Sequence, residues 1–377
     1  MEYLHYFKSR QGEMVNLLKE LVHLESPSSD KKAVNRCSDF VCREFKRAGA
    51  RITRFEQKEI GNLHLAEYSA PGRQKKEEQI LILTHIDTVW PVGKIKEMPF
   101  YISGEKVYGP GVLDMKAGLV MTIYLLRTLK ELNLQPKKKI SVFINSAEEI
   151  GAEASNRAIR NLAKKSACVL CVEPSLPGGA LKIQRKGRLV VRLDVKGKAA
   201  HASSPEKGVN AIDELIYQLR QAQRLSSGST TMNIGLIKGG EKANIVAESA
   251  SATLDFRFWK NLHKEKILSS LKKLKSQHTA ARLISSVESF TPPMEKTEAS
   301  SKLFTQIKTI AASSLGLTLT AGKASGGSDA STASSIGVPT MDGLGPDGEG
   351  IHAENEHLLL PSFIERTALL TELLLHL

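Results

Sequence analysis

Ile80-Leu81-Ile82-Leu83-Thr84-His85-Ile86-Asp87 is the stretch that decides the fold. Four consecutive aliphatic residues without polar alternation match a strand buried on both faces, as in a parallel sheet. The run then ends in an imidazole and a carboxylate. The same pattern recurs twice downstream. Ile140-Ser-Val-Phe-Ile144 leads into Asn145-Ser-Ala-Glu148-Glu149, and Cys168-Val-Leu-Cys-Val172 leads into Glu173-Pro174. Helical spacing fills the intervals, over Lys116 to Leu132, read as a strongly amphipathic helix, and over Ala152 to Ala163. This is the β-α-β-α rhythm of an open α/β sheet.

Upstream, Met14, Leu17, Leu18, Leu21 and Val22 recur at helical spacing. So do Val34, Cys37, Val41 and Phe45, with Ser29 or Asp30 as the cap and Gly49 as the stop. His64 lies in a strand-like stretch and is expected at a half-exposed position. Downstream the texture changes. Leu189 to Val195 alternates apolar and polar residues, and a helix follows from about Val209 to Arg224. Strands near Thr231 to Ile237 and Ala252 to Phe258, a Lys-rich helix from Leu262 to Ser276 and a strand from Ala281 to Val287 complete the segment. That order, β-α-β-β-α-β, is the split ferredoxin-like unit. After Pro292-Pro293 the α/β pattern resumes and closes with a helix from about Ser362 to Leu375. The sequence therefore predicts an α/β domain over residues 1–180 and 292–377, interrupted by an inserted α+β domain over 181–291.

The bulk properties agree. A chain of 377 residues with 41% hydrophobic and 25% charged residues suits a soluble globular protein of two domains. No apolar run approaches the ~20 residues of a membrane span. The N-terminal residues carry no basic start followed by an apolar stretch, so the cytoplasm is the expected compartment. Lys and Arg number 53 against 40 Asp and Glu. The excess is local: residues 181–291 hold 20 basic and 9 acidic residues, which is most of the net charge of +13. Such a surface steers anions. A nucleic-acid-binding protein is the remote alternative, but no base-stacking motif accompanies these lysines, so neither nucleic acid nor membrane is an expected partner. The pair Cys168 and Cys171 could suggest metal or redox chemistry. In an apolar strand, residues three apart face opposite sides, so both read as core, as do Cys37 and Cys42.

Ligands of open α/β sheets bind beyond the carboxyl ends of the strands. His85, Asp87, Glu148, Glu149 and Glu173 should therefore meet at one rim. Asp114, in a Gly-rich loop just before a helix, and His352, in another Gly-rich stretch, are further candidates. Singly, each is an ordinary turn or cap residue. Jointly they make a nitrogen and oxygen donor set that suits two Zn2+ ions, with Co2+ or Mn2+ as substitutes. In His85-x-Asp87 both side chains point the same way, so Asp87 is placed to accept the imidazole N–H.

Seven motifs, Thr-His85-Ile-Asp87-Thr-Val, Gly109-Pro-Gly-Val-Leu-Asp114-Met-Lys-Ala-Gly118, Asn145-Ser-Ala-Glu148-Glu149-Ile-Gly151, Val172-Glu173-Pro174, Ala199-Ala-His201-Ala-Ser-Ser-Pro-Glu-Lys-Gly-Val-Asn-Ala211, Gly326-Gly327-Ser-Asp-Ala330 and Gly350-Ile-His352-Ala-Glu-Asn-Glu-His357, carry a resemblance. In this order they are similar to the dinuclear zinc metallopeptidase family (clan MH) of glutamate carboxypeptidase, acetylornithine deacetylase, succinyl-diaminopimelate desuccinylase, aminoacylase and peptidase T. The glutamate carboxypeptidase branch is the nearest. The resemblance implies an open, mostly parallel zinc-peptidase sheet with an inserted ferredoxin-like lid and dimerisation domain. It implies that His85, Asp114 and Glu173 hold one zinc, and that Asp114, Glu149 and His352 hold the other. Asp87 would orient His85, Glu148 would be the general base, and His201 would help hold the oxyanion. Asn244, Arg257, Gly326, Gly327 and Lys323 would contact substrate, with Arg257 on its carboxylate. Lys323 stands near where some relatives carry Arg, and a single ammonium does not fork onto a carboxylate as a guanidinium does. The implied reaction is hydrolysis of an amide bond in a peptide or N-acyl amino acid with a free carboxylate, such as release of a C-terminal glutamate. Deacylation or desuccinylation in amino-acid biosynthesis is the alternative. The implied assembly is a homodimer through the lid.

Overall fold

The computed structural model describes residues 2–69 and 78–377. The chain forms two compact units. One comprises Met1–Ile183, Lys296–Ala324 and Ser328–Leu377; the other comprises Gln184–Glu295 with Ser325–Gly327.

In the first unit the three apolar runs become the strands Gln79–His85, Lys139–Asn145 and Ser166–Cys171. They lie side by side and parallel in a six-stranded sheet. The sheet order is Arg51–Phe55, Leu63–Tyr68, Lys139–Asn145, Gln79–His85, Ser166–Cys171, Thr340–Met341. Leu63–Tyr68 runs against both its neighbours, so the sheet is mixed. A loop of a few residues joins it to Arg51–Phe55, and so short a connection permits only antiparallel pairing. This packing changes the reading of His64. It sits on that strand at 2% exposure, enclosed rather than half-exposed, and its Nδ1 has no hydrogen-bond partner among the described residues. Burial pushes its pKa down to about 4.

Helices cover the sheet. Lys31–Arg47 begins where the Asp30 side chain accepts the backbone N–H groups of Lys32 and Ala33. Ala117–Glu131 was expected to be strongly amphipathic, yet only its last turns reach the surface. It is packed between the sheet and the helices Gln11–His23, Lys31–Arg47 and Leu360–His376, so nearly every face is a buried face. Its first turn presses against the third parallel strand. A Cβ on Gly118 would lie 2.5 Å from the Val172 carbonyl oxygen, which is why a glycine stands there. All four cysteines are buried, as their apolar surroundings required.

The second unit folds as its β-α-β-β-α-β order predicts. Its antiparallel sheet runs Thr230–Gly239, Ser249–Phe258, Gly187–Lys196, Arg282–Thr291. The helices Ala211–Gln223 and Asn261–Lys272 pack on it. Leu189, Val191, Leu193, Phe256 and Phe258 form its separate core. The alternate residues Arg188, Arg192, Asp255 and Arg257 fall on the opposite face of the sheet, as a period of two demands. Among the described residues, no helix is long and apolar enough to cross a membrane.

Candidate metal centre

The parallel strands deliver His85, the Glu148-Glu149 turn and Glu173 to one end of the sheet. His85 Nε2 lies 3.1 Å from Asp114 Oδ1 and 3.4 Å from Glu173 Oε1. His352 Nε2 lies 3.2 Å from Glu149 Oε1 and 3.4 Å from Asp114 Oδ2. The two oxygens of Asp114 thus face two different imidazoles. Glu148 offers an oxygen within 4.8 Å of the ligand atoms of His85 and Glu173. The peptide bond Asp114-Met115 is cis.

Asp87 works mainly through hydrogen bonds to the adjacent loops. It is fully buried. Its Oδ1 accepts the Glu148 N–H at 3.1 Å, and its Oδ2 accepts the Glu149 N–H at 3.2 Å and the Ser28 hydroxyl at 2.6 Å. The hydrogen bond to His85 is made by the Asp87 backbone carbonyl, 3.0 Å from Nδ1, while the carboxylate stands 3.6 Å away. A carbonyl acceptor obliges Nδ1 to carry the proton. The His85 Nε2 lone pair, in the neutral ring, therefore points at two carboxylates.

That arrangement needs positive charge between its members. Burial pushes Glu148 well above the usual carboxylate range, with Glu173, Asp329 and Glu149 adding to the push and His85 opposing it. Burial also raises Glu149. Burial would raise Asp114 as well, but hydrogen bonds from His352 and His85 override it and hold its pKa well below the ordinary value. Burial disfavours a charged His85, yet Asp114 and Glu173 outweigh it and raise its pKa. Asp114 and Glu149 bring His352 up to about 10. Protons are thus held where a cation would sit. The spacing fits a cation too. Two donors bound to a tetrahedral zinc at ~2.0–2.1 Å are about 3.3 Å apart. The four histidine–carboxylate distances run from 3.1 to 3.4 Å. The donor chemistry and spacing suit a pair of divalent ions sharing Asp114.

Residues 81–376 match peptidase family M20/M25/M40. The chain belongs to this family. Carboxypeptidase G2 of Pseudomonas sp. (strain RS-16) is 27% identical over 365 residues, covering 94% of this chain and 87% of that protein. The crystal structure of aminopeptidase PepT from Bacillus cereus ATCC 10987 superposes with a TM-score of 0.79 at 22% identity, over 97% of this chain and 98% of that one. Bacillus subtilis YXEP, described as a dinuclear metal binding peptidase, gives 0.73 at 14% identity over 98% of both chains. At these identities the two structures speak to the fold. The M20 membership makes the chain a metallopeptidase or amidohydrolase.

Of the other expected site residues, His201, Asn244, Arg257, Gly326 and Gly327 belong to the second unit and Lys323 to the first. In the second unit, His201 and Asn244 are neighbours. His201 pairs with Ile245, and the Ala202 N–H donates to the Asn244 carbonyl at 3.0 Å. Both side chains are exposed, and His201 Nδ1 is 2.7 Å from the Ser203 hydroxyl. Arg257 is held by Asp255, two residues back on its own strand, with Nε donating at 2.7 Å. The Gly326 and Gly327 carbonyls accept from Arg185 Nη1 at 3.0 and 3.1 Å. Lys323 lies exposed on the first unit's short strand Ala321–Ala324.

Two buried acids were missed in the sequence as members of this neighbourhood. Asp329 accepts from Asn145 Nδ2 at 2.7 Å, and burial pushes it up to about 7. Glu356 takes backbone N–H groups from the Asp114 loop, and burial likewise raises it to about 7. No periodicity separates Glu356 from exposed Glu354 two residues earlier. Only the depth of the fold does that.

Proposed function

We propose that this M20 enzyme is a zinc-dependent carboxypeptidase or dipeptidase. It cleaves an amide bond in a peptide or N-acyl amino acid that carries a free carboxylate, C-terminal glutamate being the side chain first to try. The observation that carries the reading is the division of labour at the strand ends. Four side chains pair off around a shared Asp114, while Glu148 lies beside them and forms no ion pair with a histidine among the described residues.

His85, Asp114 and Glu173 would hold one zinc ion, and Asp114, Glu149 and His352 another; when bound, they would supply Lewis acidity and lower the pKa of an attacking water. Glu148 takes the proton as attack begins and returns it to the leaving nitrogen. Asp87 keeps Glu148 and Glu149 in register by holding both their backbone N–H groups. The Asp87 carbonyl fixes the His85 tautomer, so that Nε2 stays available. His352 is half exposed, which leaves the Glu149 side open to substrate. His201 donates to the developing oxyanion, a type of contact worth about 3 kcal/mol. Asn244 and Arg257 receive the substrate's carboxylate end, and Gly326, Gly327 and Lys323 line its path. The likeness to carboxypeptidase G2 supports this choice of substrate class.

The reading includes a homodimer through the inserted unit. The edge strand Thr230–Gly239 supports it: Leu236 and Ile237 are 62% and 57% exposed there, and such an edge is a template for pairing.

The test is a panel of dipeptides and N-acyl amino acids, each with a free or amidated terminus, given to the zinc-loaded enzyme. Free acids should be turned over and the amides should not. Arg257→Lys should raise KM for the acids about tenfold or more with little change in kcat, because one ammonium cannot replace a fork. Equal turnover of acids and amides would remove the carboxylate from the reading.

A further inference from the structure

Glu356 supplies no atom to the ligand set, yet its side chain is 1% exposed and receives four hydrogen bonds. Oε1 accepts the backbone N–H groups of Leu113 at 2.9 Å and Asp114 at 3.0 Å. Oε2 accepts the Gly111 N–H at 2.9 Å and the Trp90 indole N–H at 3.0 Å. These donors come from two separate segments. Gly111 to Asp114 is the loop that presents the shared carboxylate, and Trp90 follows Asp87 by three residues. Glu356 itself follows His352 by four. One side chain therefore fastens three pieces of chain that each carry site residues.

The His352 loop needs such a fastening. His352 has φ +61°, a left-handed conformation that a non-glycine residue keeps only where its surroundings enforce it. Within the loop, Ala353 N–H donates to the Gly350 carbonyl at 2.8 Å and Glu356 N–H to the Ala353 carbonyl at 3.0 Å. The pair Lys94–Glu354 at 2.7 Å is exposed on its glutamate side and, screened by solvent, holds little. Glu349 pairs with His357 at the base of the loop, and the Glu356 side chain is a buried tie from the loop to the Asp114 segment.

We propose that Glu356 is the positioning residue of the metal centre: by joining the Asp114 loop to the His352 loop, it sets the span across which the second ion is held. The proposal rests on the two-zinc reading above. A carboxylate is required because all four partners donate. An amide at this position would turn its NH2 against either Gly111 and Trp90 or Leu113 and Asp114.

The experiment is calorimetric titration of the metal-free full-length chain with zinc chloride, beside thermal unfolding of the same metal-free proteins. Wild type should take up two ions. Glu356→Gln should keep one at nearly unchanged affinity and bind the other about ten- to a hundredfold more weakly, as changes behind a ligand commonly do. Adding Trp90→Phe removes one opposed donor, so the double variant should recover part of the loss. A structural role alone would not weaken one ion selectively or give that rescue. Two ions at wild-type affinity in Glu356→Gln would overturn the proposal, and so would equal weakening of both ions together with a lowered metal-free Tm. Should Glu356→Gln fail to fold, Trp90→Phe alone decides: about two- to fivefold weakening of one ion supports the clamp, and unchanged affinity overturns it. Wild type binding no zinc would instead overturn the two-zinc reading itself.

Discussion

The two units place their charges in opposite ways. In the first, the strand Gln79–His85 is buried at all seven positions, and the acids and histidines at the strand ends lie mostly out of solvent. In the second, Ser249–Phe258 alternates buried and half-exposed positions, and its Asp255 pairs with Arg257 and with Arg188 of the neighbouring strand. The chain's net positive charge sits largely in the second unit, while the groups with displaced pKa values crowd into the first. Charge that is conspicuous in composition is therefore not the charge that burial perturbs most. A few enclosed carboxylates outweigh many solvated lysines, because water screens the latter within about 10 Å.

The sharpest way to break this comparison is at Glu148. Glu148→Gln should lower kcat about a thousandfold or more while leaving the zinc content of the purified enzyme unchanged. Near-normal turnover in that variant would take the proton-transfer role away from the enclosed carboxylate. A smaller effect is expected at His64, which tests burial without touching the metal centre. Its folded pKa of about 4 lies below the ordinary histidine value of 6.5. The unfolded chain therefore binds the extra proton first on acidification. Its stability contribution is intact above pH ~6.5 and falls as the pH drops toward 4. Metal-free wild type should lose about 2 kcal/mol between pH 7.5 and 5 that His64→Leu does not lose. Parallel pH profiles of Tm for the two proteins would contradict the enclosed imidazole. The smallest effect belongs to the second unit's solvated charges. Replacing exposed Lys272, Lys273 and Lys275 with Gln should change kcat/KM by less than about threefold at low salt, and not at all at 0.5 M salt. A large, salt-independent loss would mean that those lysines touch substrate.

The same contrast explains what could be read from the sequence. Period and run length identified the three parallel strands and the β-α-β-β-α-β order, because burial on two faces or on one leaves a mark in every residue. The candidate ligands were legible because each ends an apolar run or stands in a Gly-rich loop. Other features depend on three-dimensional enclosure. Helix Ala117–Glu131 is buried nearly all round because other helices close over its outer face. His64 is covered by packing that its own strand does not encode. Asp87 was expected to orient His85 through its carboxylate, but that carboxylate is taken by Ser28, Glu148 and Glu149, and the backbone carbonyl makes the bond instead. Glu356 and Asp329 are ordinary acids in a polar stretch until the fold removes water from them.

In the two-zinc reading, Asp114 is shared by two divalent ions. Anomalous diffraction from zinc-soaked crystals at the zinc edge tests it most directly. Two peaks about 3.5–4 Å apart are expected, one on either side of the Asp114 carboxylate. A single peak, or zinc bound away from His85 and His352, would contradict it.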